Sequence, residues 1–112
     1  MKIKGIKGVN DILPDEIDKW HWVEHQAHLI FSRYEFKEIR IPIFEKSTIF
    51  ERGIGEPTDI VEKEMYSFTD RGKERITLRP EGTASVVRSY VEHGMHSSLS
   101  VNKLYYLGPM FR

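Results

Sequence analysis

The sequence predicts an α+β fold in which helices flank an antiparallel sheet. Near the start of the chain, apolar residues recur at three- and four-residue steps, which predicts a long amphipathic helix. Further on, two alternating segments joined by Asp70-Arg71-Gly72-Lys73 predict a β-hairpin. The second segment stops at Pro80, and the apolar spacing of a helix begins directly afterwards. Such a sheet can pack helices on one face and leave the other open as the floor of a polar site.

The composition indicates a globular chain that forms one domain at most. Of its 112 residues, 39% are hydrophobic and 30% are charged, which excludes an intrinsically disordered chain. No apolar run is long enough to cross a bilayer, and the first residues do not resemble a signal peptide. We therefore expect a cytoplasmic protein without a membrane partner. The absence of cysteine excludes disulfides and thiol chemistry.

The charge balance provides no global attraction for nucleic acid, because seventeen basic and seventeen acidic residues cancel. After Gly82, however, the basic residues Arg88, Lys103 and Arg112 face a single acid, Glu92. This local excess predicts an anionic ligand near the end of the chain.

A helix is predicted from about Pro14 to Arg33. Asn10, Asp11 and Pro14 mark its start, and acidic residues follow where they stabilise the positive end of the helix dipole. One apolar stripe along this helix is predicted to be core. The stripe consists of Ile17, Trp20, Val23, Ala27, Ile30, Phe31 and Tyr34.

A second apolar line lies nearly opposite that stripe. Trp22 and Leu29 are seven residues apart, so at about 100° per residue they share one side of the helix. This line predicts a further surface to bury, against a partner subunit or against another part of the fold. The alternative is two singly exposed apolar residues, which are common on protein surfaces.

The same helix contains His21-Trp22-Val23-Glu24-His25, which matches the H-x-x-E-H pattern of one class of zinc peptidase. Two histidines four residues apart on one helix face can bind zinc, with the glutamate as general base. Such a short pattern arises easily by chance in a polar helix, and no third ligand with supporting sequence follows. A solvated helix face is the preferred interpretation, and no metal site is predicted.

A strand that contains a proline is predicted over residues 34–44. Apolar residues alternate there with polar residues or proline, at Ile39, Ile41 and Ile43. Pro42 predicts a sheet edge, a strand end or a place where the pairing changes. A short helix over residues 45–52 is expected to turn Phe50 inwards, and residues 53–59 are a loop by composition.

Polar and apolar side chains alternate on both strands of the predicted hairpin. Thr77 and Arg79 are predicted to lie on an open polar floor, with Glu81 at its rim if the alternation continues past Pro80. A last strand is predicted over residues 101–107, and we expect its edge to lack a neighbouring strand.

The stretch of residues 76–83 is the main candidate for a binding site. It brings a carboxylate, a glycine and a hydroxyl to a strand end beside a helix N-terminus, a position suited to binding a small ligand. Glu81 can meet a cationic group, and Thr83 can add a hydrogen bond. On spacing alone, an ordinary turn with Pro80 and Gly82, followed by Thr83 as helix N-cap, is the favoured alternative.

Two phrases in the sequence resemble the histidyl-tRNA synthetases, which are class II aminoacyl-tRNA synthetases. They are Leu78-Arg79-Pro80-Glu81-Gly82-Thr83 and Leu107-Gly108-Pro109-Met110-Phe111-Arg112. Residues 60–68 also resemble a segment typical of this family. The long helix and the strand with Pro42 resemble motif 1, over about residues 14–44, and residues 101–112 resemble the start of motif 2.

The resemblance implies a role for each residue of the candidate site. Glu81, Gly82 and Thr83 match the part of the family's site that holds the α-ammonium group of histidine. Arg112 matches the motif 2 arginine, the implied catalytic residue, which contacts the α-phosphate of ATP and helps to orient the amino-acid carboxylate. A guanidinium suits this role because its planar fork matches oxyanions.

The implied reaction is attack of the histidine carboxylate on the α-phosphorus of ATP with Mg²⁺, followed by transfer of histidine from the adenylate to tRNA(His). No tightly bound cofactor is implied. Motif 1 forms the dimer interface in this family, so Pro42, Trp22 and Leu29 are the implied contacts of a homodimer.

The resemblance also implies that residues 1–112 are an N-terminal fragment of a catalytic domain. The rest of motif 2, the motif 3 arginine, the segment that recognises the histidine side chain and the anticodon-binding domain do not match any part of this sequence. We therefore expect the isolated chain to bind ATP or histidine poorly and to aminoacylate negligibly.

Two other classes of function remain open at this point. The first is a non-catalytic relative, the synthetase-like regulatory subunit of ATP phosphoribosyltransferase, which would sense histidine. The intact Glu81-Gly82-Thr83 favours the synthetase. The second is an interaction module that dimerises through Trp22 and Leu29.

Overall fold

A computed structural model describes residues 1–53, 65–97 and 101–112. The chain divides into two compact units, Met1–Glu35 and Phe36–Arg112. Most of the loop predicted over residues 53–59, and the first part of the family-like segment 60–68, lie outside the described residues. None of the helices in the described part of the chain is long and apolar enough to span a membrane.

The first unit contains helix α1, Pro14–Arg33, with the predicted bounds. Its start is set by a proline in the first turn, where the missing N–H costs nothing, and by the acidic residues Asp15 and Glu16. The predicted core stripe is wrong, because no residue of α1 is buried. Trp20, for example, is 50% exposed. Helical periodicity determines which residues share a face, whereas burial needs a second surface packed against that face.

Trp22 and Leu29, the two residues of the second apolar line, are 65% and 39% exposed. The described structure therefore leaves both available to a further surface, and their place in a dimer interface stays a prediction.

The second unit contains five strands and two α-helices in the described residues. In chain order these are β1 (Lys37–Glu38), β2 (Phe44–Lys46), α2 (Ser47–Gly53), β3 (Ser67–Thr69), β4 (Arg75–Leu78), α3 (Thr83–Glu92), a 3₁₀ turn (Met95–Ser97) and β5 (Leu104–Tyr105).

An antiparallel sheet of order β2-β4-β3 confirms the predicted hairpin. The turn between β3 and β4 is closed by Asp70, whose carboxylate accepts a hydrogen bond from the Glu74 amide at 2.8 Å. An aspartate that bonds to the backbone just beyond it is a common way to fix a turn.

The single strand predicted over residues 34–44 is two short strands, and Pro42 lies in the segment between them. Of the three alternatives given for Pro42, the change of pairing partner is the one that the structure shows. On one side of the proline, β1 pairs in parallel with β5, with Lys37 opposite Leu104. On the other side, β2 pairs antiparallel with β4. The expectation that the last strand lacks a neighbour is therefore wrong. Parallel pairing joins segments that are distant in sequence, so no local sequence pattern predicts which strands will pair.

The polar face of the hairpin is covered at its centre, so the predicted open floor is also wrong there. Thr77 is 0% exposed, and its hydroxyl lies 2.6 Å from that of Ser47 and 2.7 Å from that of Ser67. The three hydroxyls satisfy one another, which removes the cost of burying them. The buried hydrophobic residues among those described in this unit are Ile41, Phe50, Ile76 and Tyr105.

Candidate functional site

The turn between β4 and α3 presents the carboxylate of Glu81 to the first amides of the helix. Glu81 Oε2 accepts a hydrogen bond from the Thr83 amide at 2.6 Å, and Glu81 Oε1 accepts one from the Ala84 amide at 3.2 Å. The interpretation of Thr83 as the N-cap is wrong, because Gly82 occupies that position. Glycine has no side chain that could cap the helix. Glu81 thus satisfies amides that would otherwise lack a partner.

This arrangement keeps the Glu81 carboxylate usable for a ligand. The positive end of the α3 dipole stabilises a negative charge at this place. A carboxylate has about four lone-pair positions, and the two helix amides leave some of them available. The turn can therefore accept hydrogen bonds from a cationic group while it caps the helix.

Tyr106 completes the turn from the opposite side. Its hydroxyl lies 3.0 Å from Thr83 Oγ1, which fixes the position of the threonine side chain. Its ring lies against Gly82 so closely that a Cβ at that position would overlap the ring. Tyr106 was not among the sequence-predicted site residues. An aromatic residue in a predicted strand is normally interpreted as a core residue. The only sequence signal for this contact is Gly82, because a glycine allows a neighbouring side chain to approach the backbone closely.

Arg79 does not face an open floor, contrary to the prediction. Only 6% of the residue is exposed, and its guanidinium donates to backbone carbonyls. Nε donates to the Pro109 carbonyl at 3.0 Å, while Nη1 donates to those of Ile41 at 2.9 Å and Pro42 at 3.4 Å. A guanidinium has five donors in a fixed plane, so it can bind carbonyls from several segments at once.

Arg112 is exposed, and within the described residues it makes no hydrogen bond or ion pair through its side chain. Its backbone is located by the preceding residue, because the Phe111 amide donates to the Arg79 carbonyl at 2.9 Å. The segment that ends at Arg112 therefore lies beside the chain two residues before Glu81. The structure brings together the backbone of the two predicted parts of the site.

Arg88 does not contribute to the predicted excess of positive charge. Its Nη2 lies 2.9 Å from Glu45 Oε2, and its Nη1 lies 2.6 Å from Glu92 Oε2. Burial lowers the pKa of Arg88, but the hydrogen bonds and charges of Glu45 and Glu92 outweigh this effect, so that the pKa is raised overall. Of the three basic residues after Gly82, Arg88 is thus already neutralised.

No group of three or more histidine, cysteine, aspartate or glutamate side chains is arranged to hold a metal ion in the described ranges. The His21 and His25 pattern on α1 therefore gains no third ligand from residues 1–53, 65–97 or 101–112.

Comparison with known proteins identifies the family. Residues 8–112 match the family model described as Histidyl-tRNA synthetase. The chain belongs to the histidyl-tRNA synthetase family. Sequence relatives include a histidine–tRNA ligase of Geobacter sulfurreducens, 61% identical over 98% of this chain, and one of Syntrophotalea carbinolica, 59% identical over 100% of it. The chain spans only 27% of the length of each of these relatives.

Solved structures of the histidyl-tRNA synthetase family confirm the α+β fold. Apo histidyl-tRNA synthetase of S. aureus matches 99% of this chain with a TM-score of 0.85 and 47% identity, and the match covers 26% of that protein. A Bacillus halodurans protein described as an ATP phosphoribosyltransferase regulatory subunit/histidyl-tRNA synthetase has a TM-score of 0.81. At 18% identity over 100% of this chain and 28% of that one, the likeness shows the fold alone.

Proposed function

We propose that residues 1–112 form the N-terminal part of the catalytic domain of a class II histidine–tRNA ligase. The complete enzyme activates histidine with ATP and transfers it to tRNA(His). The observation that carries this proposal is the turn at the N-terminus of α3, where the Glu81 carboxylate accepts a hydrogen bond from the Thr83 amide and the Thr83 hydroxyl lies beside that of Tyr106. The names of the relatives, histidine–tRNA ligases at 59–61% identity, support histidine as the amino acid.

The turn binds the α-ammonium group of histidine. An ammonium has three donors, so it can bond to Glu81 and to the hydroxyl oxygen of Thr83 at the same time. Tyr106 holds that hydroxyl in one position, 3.0 Å away. Gly82 has no side chain, which allows the Tyr106 ring to approach the turn. The site is thus organised before the amino acid arrives.

Arg112 acts on the nucleotide substrate, which is ATP with Mg²⁺. A carboxylate oxygen of histidine forms a bond to the α-phosphorus, and the bond from that phosphorus to the oxygen bridging the β-phosphate breaks. Pyrophosphate leaves with the electron pair of that bond. Arg112 contacts the α-phosphate, where negative charge develops, and remains protonated throughout. Positioning and charge neutralisation supply the catalysis, and no tightly bound cofactor is required.

The proposal extends to the assembly and location of the enzyme. It is a cytoplasmic homodimer in which motif 1 contributes Pro42, Trp22 and Leu29 to the subunit interface. Trp22 and Leu29 are exposed in the described structure, which suits this role.

A hybrid enzyme tests the proposed activity. Residues 1–112 replace the corresponding quarter of the Geobacter sulfurreducens relative, with which they share 61% identity. We expect histidine-dependent exchange between ATP and pyrophosphate in the hybrid and negligible exchange in the 112-residue chain alone. A hybrid that folds and dimerises like the intact relative but does not catalyse exchange would contradict the proposal. Binding to ATP phosphoribosyltransferase would then be measured, to examine the regulatory alternative.

A further inference from the structure

Arg79 joins the end of its own strand to two other stretches of the second unit. Its guanidinium bonds to the carbonyls of Ile41 and Pro109, at 2.9 and 3.0 Å. Its backbone amide donates to the Ile43 carbonyl at 2.8 Å, and its backbone carbonyl accepts from the Phe111 amide at 2.9 Å. The strand that precedes the Glu81 turn is therefore tied both to the segment around Pro42 and to the segment that ends at Arg112.

Among the described residues, the partners of the Arg79 guanidinium are backbone carbonyls. The residue is 6% exposed, and within the described ranges it forms no ion pair with a carboxylate. Burying a charge in this way is costly unless several hydrogen bonds stabilise it. An apolar residue would avoid that cost. We therefore attribute the arginine to its planar guanidinium, which holds the carbonyls that it binds in a fixed arrangement.

Gly108 allows the last segment to approach Arg79. A Cβ at position 108 would lie 2.6 Å from Arg79 Nη2 and 3.6 Å from Cζ. The chain can pass against the guanidinium because this position carries no side chain.

We propose that Arg79 is a positioning residue that determines where Arg112 meets the α-phosphate of ATP. This inference rests on the proposed function, because it assigns Arg79 to the same reaction. Arg112 is exposed and lacks a described side-chain partner, so its location depends on its backbone. The Arg79 side chain bonds to that backbone at Pro109. The bond at Phe111 comes from the main-chain carbonyl of residue 79 and does not depend on the side chain.

The first test is Arg79→Lys in the hybrid enzyme. Lysine keeps the charge, but all its donors lie on one terminal nitrogen, so it cannot reproduce the planar fork in which Nε bonds to Pro109 and Nη1 bonds to Ile41. We expect kcat for pyrophosphate exchange to fall about 10- to 100-fold, since small misplacements of a catalytic group have effects of that size. KM for histidine should be unchanged. The control is Arg40→Lys, the same change at a side chain that is 86% exposed. A variant that only loses thermal stability, with kcat retained, would overturn the inference.

A double substitution tests whether Arg79 acts through Arg112. Single-turnover adenylate formation is measured for Arg79→Lys in the wild-type and in the Arg112→Ala background. We expect Arg79→Lys to have little further effect once Arg112 is absent, because the group that it positions is gone. Two effects that simply multiply would overturn the inference.

Gly108 provides a test by suppression. Gly108→Ala alone should lower kcat, because its Cβ displaces the guanidinium. Combined with Arg79→Lys, which removes Nη2, the alanine should cause no further loss. A further loss in the double variant would show that Gly108 acts independently of Arg79 and would contradict the proposal.

A measurement without catalysis separates this inference from the proposed function. Amide hydrogen exchange of peptides covering residues 107–112 should be faster in the Arg79→Lys hybrid than in the Arg40→Lys hybrid. If the unsubstituted hybrid proves inactive, the proposed function fails, and faster exchange here still supports the placement of this segment by Arg79. Unchanged exchange would overturn the inference even in an active enzyme.

Discussion

Glu81 has two tasks at the scale of a single residue. It caps α3 through the amides of Thr83 and Ala84, and it is proposed to bind the substrate ammonium. The two tasks make different demands, because capping needs an acceptor oxygen, whereas binding the ammonium needs a negative charge. A substitution that keeps the oxygen and removes the charge can separate them.

Glu81→Gln is that substitution, and its effect is predicted to fall on histidine. In the hybrid enzyme, KM for histidine should rise while KM for ATP stays unchanged, with a cost of about 2–4 kcal/mol for the lost charged hydrogen bond. The melting temperature should change little, because glutamine retains one acceptor for the helix amides. Glu92→Gln, at an exposed acid on the same helix, is the control. An equal rise in both KM values would contradict the assignment.

Arg112→Ala is predicted to act on the chemical step. Loss of the guanidinium should slow adenylate formation by an amount equivalent to about 2–4 kcal/mol, because the charge that develops at phosphorus is no longer stabilised. Single-turnover measurements at saturating histidine and ATP would show this directly. An unchanged rate would rule out Arg112 as the catalytic residue.

Ser85 and Ser47 form a matched pair for stability. Both are buried, but Ser85 Oγ has no hydrogen-bond partner in the described structure, whereas Ser47 bonds to Thr77. Ser85→Ala should be neutral or stabilise the fold by up to about 1 kcal/mol, because it removes a buried polar atom without a partner. Ser47→Ala should destabilise it by about 1–2 kcal/mol. Urea denaturation of the hybrid measures both, and equal effects would contradict this account.

At the scale of single residues, the sequence predicted that Glu81 and Thr83 share one turn, which the structure confirms, but it did not predict their surroundings. Their role in binding a ligand stays a prediction. The pattern of a strand end beside a helix start places these two side chains together. Alternation predicted one open polar face for Thr77 and Arg79, but it carries no information about what covers these residues, and both are buried. Ser47 and Pro109, the residues that bond to them, are each thirty positions away in sequence.

Two elements, β2 and α3, are joined by one partly buried ion pair. Arg88 of α3 donates to Glu45 of β2 through Nε at 3.1 Å and Nη2 at 2.9 Å, and the Glu45 side chain is 11% exposed. The second partner, Glu92, lies one turn along α3 and is 59% exposed. The first pair ties a helix to the sheet, whereas the second stays within the helix.

Glu45→Gln should therefore destabilise the fold more than Glu92→Gln. We expect about 1–3 kcal/mol for the partly buried, two-point contact and about 0.3–0.5 kcal/mol for the exposed pair within the helix.

The pKa of Arg88 is raised on folding. The stabilisation that Arg88 contributes is therefore complete below the ordinary pKa of arginine, and it is lost only as the pH rises through the pKa of Arg88 in the folded state. The difference between the two variants in urea should thus be the same at about pH 6 and pH 9. Equal costs would contradict the argument.

Elements with a strong local signal were predicted well. Helix α1 has the predicted bounds because the proline and acidic residues of its first turn agree with apolar residues that recur over five turns or more. The hairpin was predicted from its turn. Pro42 predicted a change of pairing partner only as one of three alternatives. The pairing of β1 with β5 was missed, since two-residue strands that meet in parallel across the chain leave no local pattern.

The whole enzyme is proposed to be a homodimer that uses the second apolar line of α1. Trp22→Ala in the hybrid should weaken dimerisation, because a large apolar side chain at an interface contributes most of its energy through burial. Sedimentation equilibrium over a range of concentrations would detect the shift towards monomer. Val87→Ala, at an exposed apolar residue of α3, is the control and should leave the dimer intact. A dimer unaffected by Trp22→Ala would remove α1 from the interface.

At the scale of the whole chain, the predicted core stripe of α1 failed because no described surface packs closely enough on the helix to bury one of its residues. The sequence pattern marked the stripe and the second line correctly as apolar, yet in this chain both are largely exposed.

The chain of hydroxyls at Ser47, Thr77 and Ser67 has one further consequence. Each hydroxyl carries a single proton, so Thr77 can donate to one neighbour only, and a second short contact requires that the other neighbour donates to Thr77. Thr77 is fully buried, so solvent does not intervene at its oxygen. The two hydrogen bonds therefore run in the same direction between α2 and β3. Their common direction can reverse only when the three hydroxyls rotate together.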